Sequence, residues 1–275
     1  MQDRRTIGSL GLALALTACG ASSAPPPAAT PPASRPSADV SRATAEDLER
    51  FFAAIDEGDV PAVERMLAGA PALAGAANPK GHSAFLVALF QEAGEGFVRP
   101  QDNRILAAVL ARRPTLDPME AAAAGDRARV EAELARDPDY VRRVHAIGWT
   151  ALHFAAFGGQ GAIVTSLIGH GADPDARAKN KFDNTPLQVA LLTSQGDVVR
   201  ILVARGVDVN ARQGEGVTAL HEAAQNGDAS IVQMLLDAGA DATVRAGKNA
   251  ESALDVAVAN GHPEVASLLR SHGAK

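Results

Sequence analysis

Histidine and cysteine are the side chains best suited to chemistry at neutral pH, and this chain has seven of the first and one of the second. His221-Glu222 and His262-Pro263-Glu264 each set an imidazole beside a carboxylate, which could make an acid–base couple or part of a zinc site. A helical zinc site needs ligands one turn apart, as in His-Glu-x-x-His, and neither segment has that spacing. A lone cysteine can form neither a thiolate cluster nor an internal disulfide. The sequence contains no Gly-x-Ser-x-Gly elbow and no glycine loop of the kind that cradles phosphate. No catalytic, cofactor or metal residue is assigned, and the chain is expected not to be an enzyme.

The element that positions His153 and His221 is a repeat. Thr150-Ala151-Leu152-His153 recurs as Thr185-Pro186-Leu187-Gln188, Thr218-Ala219-Leu220-His221 and Ser252-Ala253-Leu254-Asp255, with starts 35, 33 and 34 residues apart. A small-residue helix follows each string, then a turn (with Gly159, Gly227 and Gly261), then a second helix rich in Ile, Val and Leu. The segment closes on Gly-Ala-Asp, as at Gly171 to Asp173 and Gly239 to Asp241. Thr or Ser suits the cap of the first helix, and Pro its first position. Paired alanines (Ala155-Ala156, Ala223-Ala224) allow close helix approach, and Gly206 and Gly239 can take the left-handed conformation that ends the second helix.

These motifs resemble the ankyrin repeat, four times in register. The resemblance implies an all-α solenoid of helix-turn-helix units joined by β-hairpin loops. Three divergent units precede the clear ones. Leu116 to Gly125 runs into Val130 and Leu134; Ser83-Ala84-Phe85-Leu86 opens another; Glu49 to Gly58 leads to Val63, Met66 and Leu67. Thr44 and Asp47 form a capping-box pattern before the first. About seven repeats are expected over residues 44–275. In the second unit Ile105, Leu106, Val109 and Leu110 come about nine positions late against the repeat period. An inserted loop around 93–101 and a missing hairpin after Leu110 are therefore expected. With Leu116 to Ala121, these features resemble a bacterial subgroup of ankyrin domains with no common activity. In the fifth unit Ser194 replaces the turn glycine.

The family resemblance implies that His153 and His221 order the loops by hydrogen-bonding backbone. It also implies that partners meet the hairpin tips and the open side of the first helices. Mapped onto this chain, that surface takes Trp149, Phe157, Lys181, Phe182, Asn184, Leu192, Glu215, Gln225 and Asn226, with Trp149, Phe157 and Phe182 as the aromatic anchors an interface favours. A second reading has Trp149 packing against the neighbouring hairpin. The partner is an unidentified protein, and the chain is expected to be a monomer.

Before the repeats, Arg4 and Arg5 precede an apolar run from Ile7 to Leu16 and then Leu16-Thr17-Ala18-Cys19. The run falls short of the ~20 residues needed to cross a bilayer and reads as a signal peptide over 1–18. The tetrad resembles the bacterial lipobox, implying an acylated (palmitate-type) Cys19, a lipoprotein, and a membrane anchor at the periplasmic face of an outer membrane. Residues 19–43 then form a Pro/Ala/Ser-rich tether without apolar periodicity. The formal charge of −6 would become −7 once residues 1–18, with two arginines and one aspartate, are removed. An acidic chain without a basic stripe argues against nucleic acid. The reading is a membrane-tethered protein–protein interaction scaffold of the bacterial envelope. Alternatives are a periplasmic immunity or inhibitor protein masking a toxic enzyme, and an envelope stress factor.

Overall fold

The computed structural model describes residues 43–93 and 96–274; the signal-peptide segment, Cys19 and the tether lie outside the described residues. The described chain forms a mostly helical ankyrin-type array of fourteen α-helices in seven pairs, grouped into two compact units.

The first unit holds the described residues up to 91, and 102–116. Its helices are α1 (Ala45–Asp56), α2 (Val60–Gly69), α3 (Ala84–Leu89) and α4 (Arg104–Leu110). The expected capping box is present. The Thr44 hydroxyl accepts from the Asp47 N–H, and the Asp47 carboxylate accepts from the Thr44 N–H at 2.9 Å. Phe51, Ile55, Val63 and Leu67 are fully buried between the first pair of helices, each contributing roughly 1.5–3 kcal/mol relative to an exposed side chain. Asn103 caps α4 by accepting from Leu106 N–H at 2.8 Å, and donates to the Ala88 carbonyl at 2.7 Å. That buried amide fixes the late-starting α4 against the end of α3.

The second unit contains 92–101 and 117–274. The expected insertion appears as a short antiparallel pair, β1 (Glu92–Ala93) with β2 (Gly96–Phe97), followed by a 3-10 turn at Pro100–Asp102. No strand or bridge occurs between Leu110 and Pro118 among the described residues, as the missing hairpin requires. Five helix pairs follow: α5 (Pro118–Ala124) with α6 (Arg127–Arg136), α7 (Ala151–Phe157) with α8 (Gly161–Gly169), α9 (Pro186–Leu192) with α10 (Gly196–Ala204), α11 (Ala219–Asn226) with α12 (Ala229–Asp237), and α13 (Ala253–Ala259) with α14 (Pro263–Ser271). One hairpin has regular strands, β3 (Arg245–Ala246) and β4 (Glu251–Ser252), paired Arg245 to Ser252 and Ala246 to Glu251.

Small residues set the helix spacing. A Cβ placed on Gly158 at the end of α7 would come within 2.2 Å of the Ala123 carbonyl oxygen in α5. Buried Ala121, Ala122, Ala155 and Ala156 continue this seam. Asp126 and Asp228 do more than supply negative charge: each caps its second helix, accepting from Arg129 N–H and Ile231 N–H at 3.1 Å. At that cap position Gln160 and His262 reach back to the preceding pair, whereas Gln195 donates to Gln101 at 3.0 Å. Gln160 donates to the Ala123 carbonyl at 3.3 Å, and His262 Nε2 meets the Gln225 carbonyl at 3.0 Å.

Candidate protein-binding surface

Each hairpin of the second unit is closed by a backbone bond: His145 N–H to Trp149 O (2.7 Å), Ala178 N–H to Asn184 O (2.9 Å) and Gln213 N–H to Val217 O (3.0 Å). Successive hairpins are also bonded to one another. Lys179 N–H donates to Gly148 O and Gly214 N–H to Phe182 O, both at 2.7 Å, and Gly247 N–H to Glu215 O at 2.9 Å. The tips of the fourth to seventh repeats therefore form one laddered edge.

The histidines link that edge to the helices. His153 Nδ1 sits 2.8 Å from Thr150 Oγ1 and 3.4 Å from its amide nitrogen, while Nε2 meets the Asn184 carbonyl of the next hairpin at 3.1 Å. His221 repeats the arrangement with Thr218 and the Glu251 carbonyl at 3.2 Å. In the fifth repeat Gln188 takes the same position. Its Oε1 accepts from Thr185 N–H at 2.9 Å, and its Nε2 donates to Ala211 O and Val217 O at 3.0 and 3.1 Å. Burial holds His153 neutral, with its pKa pushed down to about 4. These side chains are structural ties across repeats.

The structure sorts the mapped surface residues into two groups. Lys181, Glu215 and Asn226 are exposed, and Phe182, Leu192 and Gln225 half-buried. Lys181 Nζ lies 5.0 Å from the centre of the Phe182 ring, within cation–π range. Asn226 also donates to the Leu191 carbonyl at 2.7 Å, so its amide is held in place. The expectation of an open position is corrected for Trp149, Phe157 and Asn184, which are only 1%, 0% and 1% exposed. Trp149 packs in its own repeat, edge-on to Phe154 (5.5 Å) and tilted on Phe157 (5.4 Å). Asn184 follows the same inward path in the next repeat, and Val217 in the one after. The position before each Thr points into the seam between hairpin and helix, and a large apolar side chain gains more there than in water.

Sequence reasoning missed the burial of Glu222. This residue is 4% exposed on α11, accepts from Gln213 Nε2 at 3.0 Å, and burial raises its pKa to about 7. The signal was available: Phe154, Val189 and Val256 occupy the corresponding positions of the fourth, fifth and seventh repeats and are buried. Among the described residues, no three His, Cys, Asp or Glu side chains are grouped to hold a metal ion.

Two family models described as ankyrin repeats match this chain, one over residues 119–213 and the other over 202–257. Together they run from α5 into α13, the same stretch in which hairpins and helix pairs alternate. The chain is an ankyrin-repeat protein. Similar curated proteins include a putative ankyrin repeat-containing protein of Treponema pallidum, 38% identical over 36% of this chain and 33% of its own length. The mouse B-cell lymphoma 3 protein homolog is 34% identical over 53% of this chain and 34% of its own. The Caenorhabditis elegans homolog of transient receptor potential cation channel subfamily A member 1 is 36% identical over 44% of this chain but 10% of its own. The chain thus spans about a third or less of each of these relatives. The family models make this stretch of the chain an ankyrin array, a scaffold for binding proteins. Within that array, the second repeat's insertion and Ser194 in the fifth are where this chain departs from the repeat pattern.

Proposed function

We propose that this ankyrin array is a membrane-tethered interaction scaffold of the bacterial envelope, acting by binding and not by catalysis. The observation that carries the tether is Leu16-Thr17-Ala18-Cys19, in which the only cysteine of the chain stands directly after an apolar run and a small-residue pair. An acylated Cys19 followed by a proline-rich stretch would hold the repeats off the bilayer, since such stretches favour extended backbone at about 3.1 Å per residue. Among the described residues no helix is long and apolar enough to cross a membrane, so attachment in this reading depends on the lipid. The laddered hairpin edge, with exposed Lys181 and Glu215 and half-buried Phe182, supplies the contact surface.

Metabolic labelling with a palmitate analogue in a bacterial host tests the tether. Wild type should take up label and sediment with membranes, and Cys19→Ala should do neither. Label persisting in Cys19→Ala would refute the anchor. Photocrosslinking from position 249 at the seventh hairpin, in intact envelopes, tests the scaffold. A discrete adduct to another protein is expected, and wild type without any adduct would refute it.

A further inference from the structure

Lysine is rare in this chain and its placement is uneven. Of 26 basic residues only five are lysine, and four of these, Lys80, Lys179, Lys181 and Lys248, lie in hairpin loops. All four are exposed. Three belong to the laddered edge of the second unit, Lys179 and Lys181 in the fifth repeat and Lys248 in the seventh. Two of the arginines nearby are already engaged, Arg177 with Asp183 and Arg245 with Asp255 at 3.3 Å, while Arg212 on the sixth hairpin is exposed and adds its own positive charge. Lys179 adds to the field that keeps the Asp183 carboxyl low, behind the Arg177 hydrogen bond. Among the described residues no carboxylate forms an ion pair with Lys179, Lys181 or Lys248. Glu215 at the tip between them and Glu251 in the seventh hairpin are opposing charges outside such pairs, against Lys179, Lys181, Lys248 and Arg212. A chain of net charge −6 therefore presents a locally basic edge.

We infer that the tips of the fifth to seventh repeats receive an acidic, extended protein segment whose carboxylates meet Lys179, Lys181 and Lys248. The inference rests on the scaffold reading and names the chemistry of its partner. Helices packed 8–10 Å apart put two repeat steps at roughly 20 Å, which about six extended residues cover at ~3.3 Å each. A partner segment with carboxylates at both ends of such a stretch could engage both lysine-bearing tips at once. Phe182, half-buried beneath the Lys181 ammonium, offers an apolar floor between them. Contacts of this kind are steered by charge and weakened by salt.

The test uses the full chain and a fluorescein-labelled peptide of alternating Glu and Ser, about ten residues long so as to exceed the two-step span, with a Lys/Ser peptide as control. Anisotropy should report preferential binding of the acidic peptide that weakens as salt rises from about 0.05 to 0.3 M. The triple variant Lys179→Gln/Lys181→Gln/Lys248→Gln should bind it about tenfold more weakly, with unchanged far-ultraviolet circular dichroism. Glu215→Lys, a separate exposed change, should tighten it, which keeps the test decisive if the triple variant folds poorly. Equal binding of both peptides, or no response to either variant, would overturn the inference. So would lysine-dependent flotation of Cys19→Ala with anionic vesicles in the absence of acidic-peptide binding. If the triple variant still gives the wild-type adduct from position 249 in envelopes, the acidic-partner inference falls and the scaffold stands. If wild type gives no adduct, the scaffold itself falls, whatever the peptides do.

Discussion

The side-chain amide of Gln213 donates to the carboxyl of Glu222 at 3.0 Å, tying the base of the sixth hairpin tip to α11. Burial raises the Glu222 pKa from 4.5 to about 7, so between those values the folded chain holds a proton that the unfolded chain has lost. Its contribution to stability is complete below the unfolded value and is lost as pH rises through about 7. The loss is on the order of 3 kcal/mol. Glu222→Gln keeps an acceptor for Gln213 and has no charge to bury. Thermal unfolding should show the variant more stable than wild type at pH 8 and nearly equal at pH 5; parallel curves at both would refute the assignment.

His153 imposes the opposite dependence. Its folded pKa of about 4 lies below the ordinary 6.5, and burial also lowers those of His145 and His221. Stability from these groups is present above the unfolded value and is lost as pH falls below it. Gln188 shows that glutamine can serve as the tie between repeats. His153→Gln should therefore fold normally at pH 7 and lose less stability than wild type when titrated to pH 5. A Tm drop at pH 7 as large as that of His153→Ala would show that glutamine cannot make the bond here.

Much of this was legible in the sequence because the repeat forces one environment on equivalent positions. The Thr-x-x-His strings, the left-handed glycines and the Thr44–Asp47 box all follow from local backbone needs, and the insertion showed as delayed apolar residues. Trp149 and Asn184 were harder to read. Family positions give their place along the hairpin, but which way the side chain turns depends on the neighbouring repeat. Glu222 was hidden for a related reason, since its carboxylate suggests solvent while its register with Phe154 and Val256 dictates burial. The lysine edge needed the structure, because only there do the salt bridges of Arg177 and Arg245 separate engaged from available charge.

Ser194 stands at φ +56°, where the corresponding turns have glycine, as at Gly159 (+73°) and Gly227 (+74°). A side chain in this region costs about 1–2 kcal/mol, partly offset by the extra unfolded-state freedom of glycine. Ser194→Gly is expected to stabilise by about 0.5–1 kcal/mol, read as a rise in the urea midpoint with unchanged slope. Gly227→Ala should do the reverse and by more, since its Cβ would sit 2.5 Å from the His262 ring. An unchanged midpoint in both would contradict the turn geometry.

Trp149 offers a test that separates folding from binding. Truncating a buried aromatic costs about 3–5 kcal/mol through lost burial and the cavity left behind. Trp149 is 1% exposed against Phe154 and Phe157, so Trp149→Ala should lower the urea midpoint sharply and lose partner capture only where the array unfolds. Lys181→Gln, on an exposed tip, should leave the midpoint unchanged and still alter capture. Measuring both variants at a denaturant concentration where each is fully folded discriminates the roles. Capture lost in folded Trp149→Ala but retained in Lys181→Gln would move the contact surface from the laddered tips to the seam beneath them.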